Sequence, residues 1–248
     1  MIRWFTSDQH YNHPNIIKYT QRPQLKPGDL DASGKWISPE IAFQRAEKMN
    51  SDLMRDCNQR VKSDDTVVCV GDFSCRGGEK GVMGLHIKPS EILEKLNGNW
   101  VIVGGNHDDQ NGVKSVCDFM SCEIAKYRVG VQHRPLMDED AYNQWLKKSD
   151  SERAANPWRD RMSGRQRERE FVHASYCRHQ FDFIICGHVH NAWKVKKVAG
   201  IWHINVGVDV NRYMPINDTE VALLYEKAVK GVQSTTPCLK AGVSFSEI

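Results

Sequence analysis

Four short stretches of the chain concentrate side chains able to bind metal or move protons: Asp8-x-His10, Gly71-Asp72, Gly105-Asn106-His107-Asp108 and Gly187-His188-x-His190. Carboxylate, imidazole and amide oxygen are donors of intermediate hardness, better suited to Mn, Fe, Zn, Ni or Co than to calcium alone. Alternate residues of an extended segment point the same way, so Asp8 with His10, and His188 with His190, can each converge on one point. The donors outnumber the needs of one tetrahedral ion. Two divalent cations about 3.5–4 Å apart would use them all, with Asp72 as the bridging carboxylate, and such a pair serves in-line attack on phosphorus. A Gly-Asp dipeptide alone is commonly just a turn. Four donor clusters, each directly behind an apolar run, are a much stronger signal.

Those runs are Ile2 to Thr6, Thr66 to Val70, Trp100 to Val103 and Phe181 to Cys186, rich in Val and Ile and bounded by Gly and Asp. They read as buried strands. Between them, Ser38-Pro39 has the form of a helix cap and first turn, and Ala46, Met49, Leu53 and Cys57 follow at helical spacing to about Val61. A shorter helix is predicted from Ser90 to Leu96, ended by Asn97-Gly98. Alternating strands and helices build an α/β sheet whose parallel strands end on one edge, which would gather the four clusters. Thr20 to Ile37 reads as a long loop of the kind that carries function. Asp138 to Glu170 is densely charged and includes Trp145 and Trp158, and we read a helical insertion at about 138–172. Its Arg153, Arg159, Arg161, Arg165, Arg167 and Arg169 fit either an anion-steering lid or an ordinary solvated surface.

Composition sets the outer limits. The chain has 248 residues, 40% hydrophobic and 9% aromatic, which is ordinary globular material and excludes wholesale disorder. We read residues 1–248 as a single domain carrying that insertion. Lys+Arg 34 against Asp+Glu 31 leaves +3, so bulk charge does not hold a polyanion or a membrane, and any anion must be held locally. The 8 cysteines form no Cys-x-x-Cys pair, which fits reduced thiols. The first residues contain no signal-like apolar region and no stretch of about 18 apolar residues occurs, so the expected location is cytoplasmic, without membrane contact. The oligomeric state is left open by these features. Histidine, at 10 residues, is the unusual entry in the composition.

The order Asp8-x-His10, Gly71-Asp72, Gly105-Asn-His-Asp108, a later histidine and Gly187-His-x-His190 resembles the calcineurin-like metallophosphoesterase superfamily over about residues 1 to 215. Ser7 to Ile17, Arg22-Pro23 and Asn205-Val-Gly-Val-Asp209 are similar to the superfamily's small bacterial and phage phosphoesterases. The resemblance implies a four-layer αββα sandwich with a dimetal site at the strand C-terminal edges. It implies one metal on Asp8, His10, Asp72 and His190, and another on Asp72, Asn106, a mid-chain histidine and His188. His133, in Gln132-His-Arg-Pro135, matches that histidine better than its rival His173. His107 corresponds to the non-ligand histidine that protonates or stabilises the leaving oxygen, a task suited to imidazole. His13 matches a histidine of the nearer relatives and would line the pocket or contact phosphate, and Arg76 fits either a substrate-binding residue, through its planar fork of donors, or an ordinary surface arginine. Asp108 could orient His107 or cap the next helix, and we read it as a cap. Asn205 and Asp209 would support the ligands from behind. Cys75 departs from the pattern, since phosphoprotein-specific members carry Asp there to orient the catalytic histidine.

The expected function is therefore hydrolysis of a phosphodiester, derived from a nucleotide or a nucleic-acid end, by a metal-bridging hydroxide. The expected cofactors are two divalent ions, manganese first, with Fe, Zn, Ni or Mg as alternatives. A phosphomonoesterase or protein phosphatase, and an inactive scaffold of the same fold, are the competing readings.

Overall fold

The computed structural model describes residues 1–75, 87–108, 111–137, 143–144, 147 and 164–231. Arg76, His86 and most of the charged insertion lie outside the described residues. Two sheets form the middle of the molecule. The first joins strands β1 (Arg3–Thr6), β2 (Thr66–Val70), β3 (Asn99–Val103) and β9 (Ile216–Asn217) in the order β3-β2-β1-β9. Its first three strands run parallel, with Trp4 opposite Val67 and Val67 opposite Trp100, and β9 closes the edge antiparallel. The second comprises β4 (Phe119–Ile124), β5 (Tyr127–Gln132), β6 (Phe183–Cys186), β7 (Val195–Val198) and β8 (Ile201–Asn205), ordered β4-β5-β6-β8-β7. Here β5, β6 and β8 are parallel, with antiparallel strands on both edges.

Period-two alternation explains the layering. Phe5, Val68, Val70 and Val103 of the first sheet meet Val129, Val131, Phe183, Ile185 and Ile204 of the second in one buried cluster. The intervening Trp4, Val67, Cys69 and Ile102 face outward onto helices. A strand buried on both faces must be apolar at every position, which is why Thr66 to Val70 reads as a continuous run. Each fully buried valine or isoleucine there contributes about 1.5–3 kcal/mol relative to exposure. Helices α1 (Pro14–Tyr19), α2 (Pro39–Arg60) and α3 (Pro89–Leu93) cover the outer face of the first sheet. On α2 the Ser38 hydroxyl accepts from the Ile41 amide, and Ala42, Ala46, Met49, Leu53 and Cys57 supply the buried stripe. Helix α4 (Gly164–Gln180) covers the second sheet, packing Ala174 and Cys177 against Ile184 and Ile201. Helix α5 (Asp218–Val229), begun by an Asn217–Glu220 capping box, adds Val221 to the cluster between the sheets.

The result is the four-layer αββα sandwich. One helix end and one strand start differ from expectation by more than a residue. Helix α3 stops at Leu93 rather than Leu96, its last residues turning instead toward Gly98, which sits at φ +91°. The expected strand from Phe181 begins only at Phe183, because Asp182 binds the Arg128 amide with its side chain. No helix among the described residues is long and apolar enough to cross a membrane.

Candidate metal centre

Every parallel strand delivers its following loop to one edge. β1 leads to Asp8 and His10, β2 to Asp72, β3 to Asn106 and His107, β5 to His133, β6 to His188 and His190, and β8 to Asp209. The loops turn sharply: Asp8, His10, Asp72, His188 and His190 all have positive φ, between 47° and 69°. Non-glycine residues avoid this region at a cost of about 1–3 kcal/mol each, and such strain gathers where surrounding structure enforces it for function. Asp8 and His10 are thereby aimed together by a bent segment rather than by the extended one that their spacing suggested.

The loops are tied to one another. The Asp8 amide donates to the Gly71 carbonyl at 3.0 Å and the His10 amide to the Asp72 carbonyl at 3.0 Å. The Asp8 carboxylate accepts from the His188 amide at 2.9 and 3.0 Å. Asp72 Oδ1 accepts from the His107 amide at 2.9 Å. Among the described residues, no amide of a following helix donates to the Asp108 side chain. Its buried carboxylate accepts from the amides of Gly105, Asp72 and Phe73 at 2.8, 2.9 and 2.9 Å, locking the β2 loop to the β3 loop. Gly187 is required by close approach, because a Cβ there would collide with Ser7 Oγ and the Asp8 carboxylate.

Two groups of candidate ligands result, Asp8 with His10 and His190, and Asp72 with His133 and His188, each with ligand atoms within 4.8 Å of one another. Asp72 also lies between the groups, its Oδ2 3.5 Å from His10 Nε2 and 3.1 Å from His133 Nε2. Asn106 Oδ1 sits 3.2 Å from His133 Nε2. The structure thus brings His133, not His173, to the edge. His173 is on α4, with Nε2 2.8 Å from Gln132 Oε1 and its ring against Phe119.

The donor chemistry fits divalent cations. His10 Nε2 is buried and has no hydrogen-bond partner, an arrangement that is costly unless something else satisfies the lone pair. His133 Nδ1 donates to the Val70 carbonyl at 2.8 Å, so its Nε2 faces two oxygens. Burial opposes protonation of His133, yet the Asp72 carboxylate lifts it to about 9. A cation at that position would serve the same oxygens while leaving the imidazole neutral. Burial pushes the Asp8 carboxyl up against the pull of His133 and His190, the signature of a desolvated anion lacking sufficient positive charge. His188 falls to about 3, chiefly through burial and then through the charge at His133.

Around this core stand further side chains. His107 is half-buried, its ring centroid 5.2 Å from that of His10, and no hydrogen bond from a described residue holds its ring nitrogens. His13 caps α1, its Nδ1 accepting from the Ile16 amide at 3.2 Å, with its ring 5.7 Å from His10 and 6.4 Å from His107. Cys75, buried, places Sγ 3.8 Å from Nδ1 of His10, so it attends a candidate ligand rather than His107. Asn205 donates to the His190 and Trp193 carbonyls at 2.8 Å. Asp209 Oδ2 lies 2.8 Å from His190 Nδ1. The Asp209 carboxyl is held far below the ordinary range, because the Arg22 guanidinium and His190 outweigh its burial. Sequence reasoning missed the tying role of Asp108 and the placement of Arg22, whose only signal was its position in a shared Arg-Pro dipeptide. Of the remaining histidines, His179 is exposed on α4 and His203 is a buried strand residue.

Comparison with known proteins bears on the fold and the family. Among curated proteins, an uncharacterised protein of Methanocaldococcus jannaschii is 33% identical over 132 residues, 53% of this chain. The match covers 58% of that relative, so the chain spans well under two thirds of its length. Among solved structures, a protein of unknown function from Aquifex aeolicus shares the fold with TM-score 0.54 and 23% identity, over 90% of this chain and 98% of that one. The family model described as the calcineurin-like phosphoesterase superfamily domain matches residues 49–226. The chain belongs to the calcineurin-like phosphoesterase superfamily.

Proposed function

We propose that this protein hydrolyses a phosphodiester, drawn from a nucleotide or a nucleic-acid end, with two divalent cations held at the strand edge. The observation that carries the reading is the pair of adjoining carboxylate–histidine groups, with Asp72 between them and His107 alongside. Asp8, His10 and His190 would hold one cation, Asp72, His133, Asn106 and His188 the other, with Asp72 shared. Bound there, the cations would supply an activated water nucleophile and neutralise charge growing on the phosphoryl oxygens.

The chain's own residues supply the rest. His107, held by its amide to Asp72, presents an imidazole suited to giving a proton to the leaving oxygen. His13 accepts from Ile16 through Nδ1, so its proton sits on Nε2, a donor for a phosphoryl oxygen. The described side chains around the centre are mostly imidazoles rather than free guanidinium groups, since Arg22 is fully engaged. Arg134, one residue beyond His133, acts electrostatically on His188. A singly charged diester demands less cationic compensation than a doubly charged monoester, which favours the diester.

The discriminating experiment is a substrate panel with Mn²⁺-loaded protein: bis-aryl and mono-aryl phosphates, cyclic nucleotides, 2′,3′-cyclic ends, dinucleotides and single-stranded DNA. Diesters should turn over with the higher kcat/KM. Faster hydrolysis of the monoester would move the assignment to a phosphomonoesterase.

A further inference from the structure

Arg22 belongs to none of the four donor clusters, yet it is 2% exposed and each of its five N–H donors has an acceptor. Nε donates to Asp209 Oδ1 at 2.8 Å. One Nη2 hydrogen goes to Asp209 Oδ2 at 3.1 Å and the other to the Asp8 carbonyl at 2.7 Å. Nη1 donates to the Gln9 carbonyl at 2.8 Å and to Met49 Sδ at 3.0 Å. Asp209 Oδ2 is also the partner of His190 Nδ1, and the Thr20 hydroxyl donates to Oδ1 at 3.3 Å. A carboxylate so placed only accepts, so the His190 proton lies on Nδ1 and the Nε2 lone pair is free.

We infer that Arg22 is the positioning residue for the Asp8, His10 and His190 group, a conclusion that rests on reading this group as a metal site. Through Asp209 it sets the ring orientation and tautomer of His190. Through the Asp8 and Gln9 carbonyls it fixes the bent loop that presents Asp8 and His10. One planar fork thus makes a single unit of Asp8 and His190, 182 residues apart in the chain. Lysine could not replace it, because an ammonium is a point charge with three donors and cannot span a carboxylate and two carbonyls at once. The second group, on Asp72, His133 and His188, has no hydrogen bond to Arg22 among those of the described residues and would feel its loss only indirectly, through the shared Asp72 and the Asp8–His188 contact.

The test uses the full chain carrying Asp209→Asn or Arg22→Lys, with circular dichroism and melting to establish folding. In metal-free protein, ¹⁵N chemical shifts of His190 report the tautomer, and Mn²⁺ titration by calorimetry reports the two affinities. In Asp209→Asn the amide oxygen is drawn to Arg22 and the NH₂ to His190 Nδ1, so the proton should move to Nε2. Mn²⁺ should bind about 10–100-fold more weakly at one site and lose distinctly less affinity at the other. Arg22→Lys should weaken the same site by a similar factor. If Arg22→Lys does not fold, the near-isosteric Asp209→Asn decides alone. Wild-type tautomer and both wild-type affinities in a folded Asp209→Asn protein would overturn the inference. Wild-type protein that binds no Mn²⁺ would instead overturn the metal reading beneath it.

Discussion

His107 stands half-buried beside His10 with its amide fastened to Asp72 and its ring nitrogens unheld by any described residue. That combination fits a proton donor to substrate rather than a ligand. Replacing it, His107→Ala, should lower kcat by about 10²–10⁴-fold, the usual worth of a general acid, while calorimetry still finds two Mn²⁺ ions. Loss of Mn²⁺ stoichiometry would place His107 among the ligands instead. His203 permits a separate test remote from the centre. It is fully buried, Nδ1 donating to the Ile201 carbonyl and Nε2 accepting from the Leu136 amide, and burial lowers it from 6.5 to about 4. Between those values the unfolded chain binds the proton and the folded one does not, so stability is present above 6.5 and is lost as pH falls toward 4. The loss for this residue alone is about 3 kcal/mol. Urea unfolding of His203→Gln should therefore show a shallower decline over that window than wild type. Equal slopes would show that His203 does not titrate in this way. The candidate ligands were legible because donor-rich residues sit directly behind apolar runs. Arg22 was not, because its partner Asp209 is 187 residues away and only the folded loops bring them together.

At the scale of elements, the strands could be read from continuous Val and Ile runs and α2 from its Ser38-Pro39 start, since both signals are local. The loops could not. Five candidate ligands in left-handed conformation have no sequence marker, because the strain is imposed by hydrogen bonds between loops from different strands. Asp108 read as a helix cap for the same reason: its three amide partners come partly from a loop 35 and 36 residues earlier. The close approach of Gly187 to Ser7 and Asp8 makes the β6 loop sensitive to a single methyl group. Gly187→Ala should cost about 1–3 kcal/mol by overpacking and should weaken Mn²⁺ binding, since the methyl displaces the Asp8 carboxylate. Denaturant melts and a Mn²⁺ titration together check this, and wild-type values in both would show that the approach is loose.

For the whole molecule, the near-neutral charge fits the proposed function, in which an anion would be captured at one edge of the sandwich rather than by the surface at large. A metal site assembled from the loops of both sheets would also couple metal to stability, because an unfolded chain scatters its ligands. At cation concentrations about 100-fold above Kd the folded state gains about 2.7 kcal/mol per site, so a chelator that strips both sites should lower Tm by roughly 10–20 °C. An unchanged Tm would mean that no cation bridges the sheets. The most direct measurement is hydrolysis of a bis-aryl phosphodiester by chelator-stripped protein as Mn²⁺ is added back, run beside Asp72→Asn. The rate should climb to a plateau at two equivalents of Mn²⁺ and be absent from Asp72→Asn. Metal-loaded wild-type protein that hydrolyses neither diester nor monoester above background would contradict the assignment and leave an inactive scaffold of the same fold.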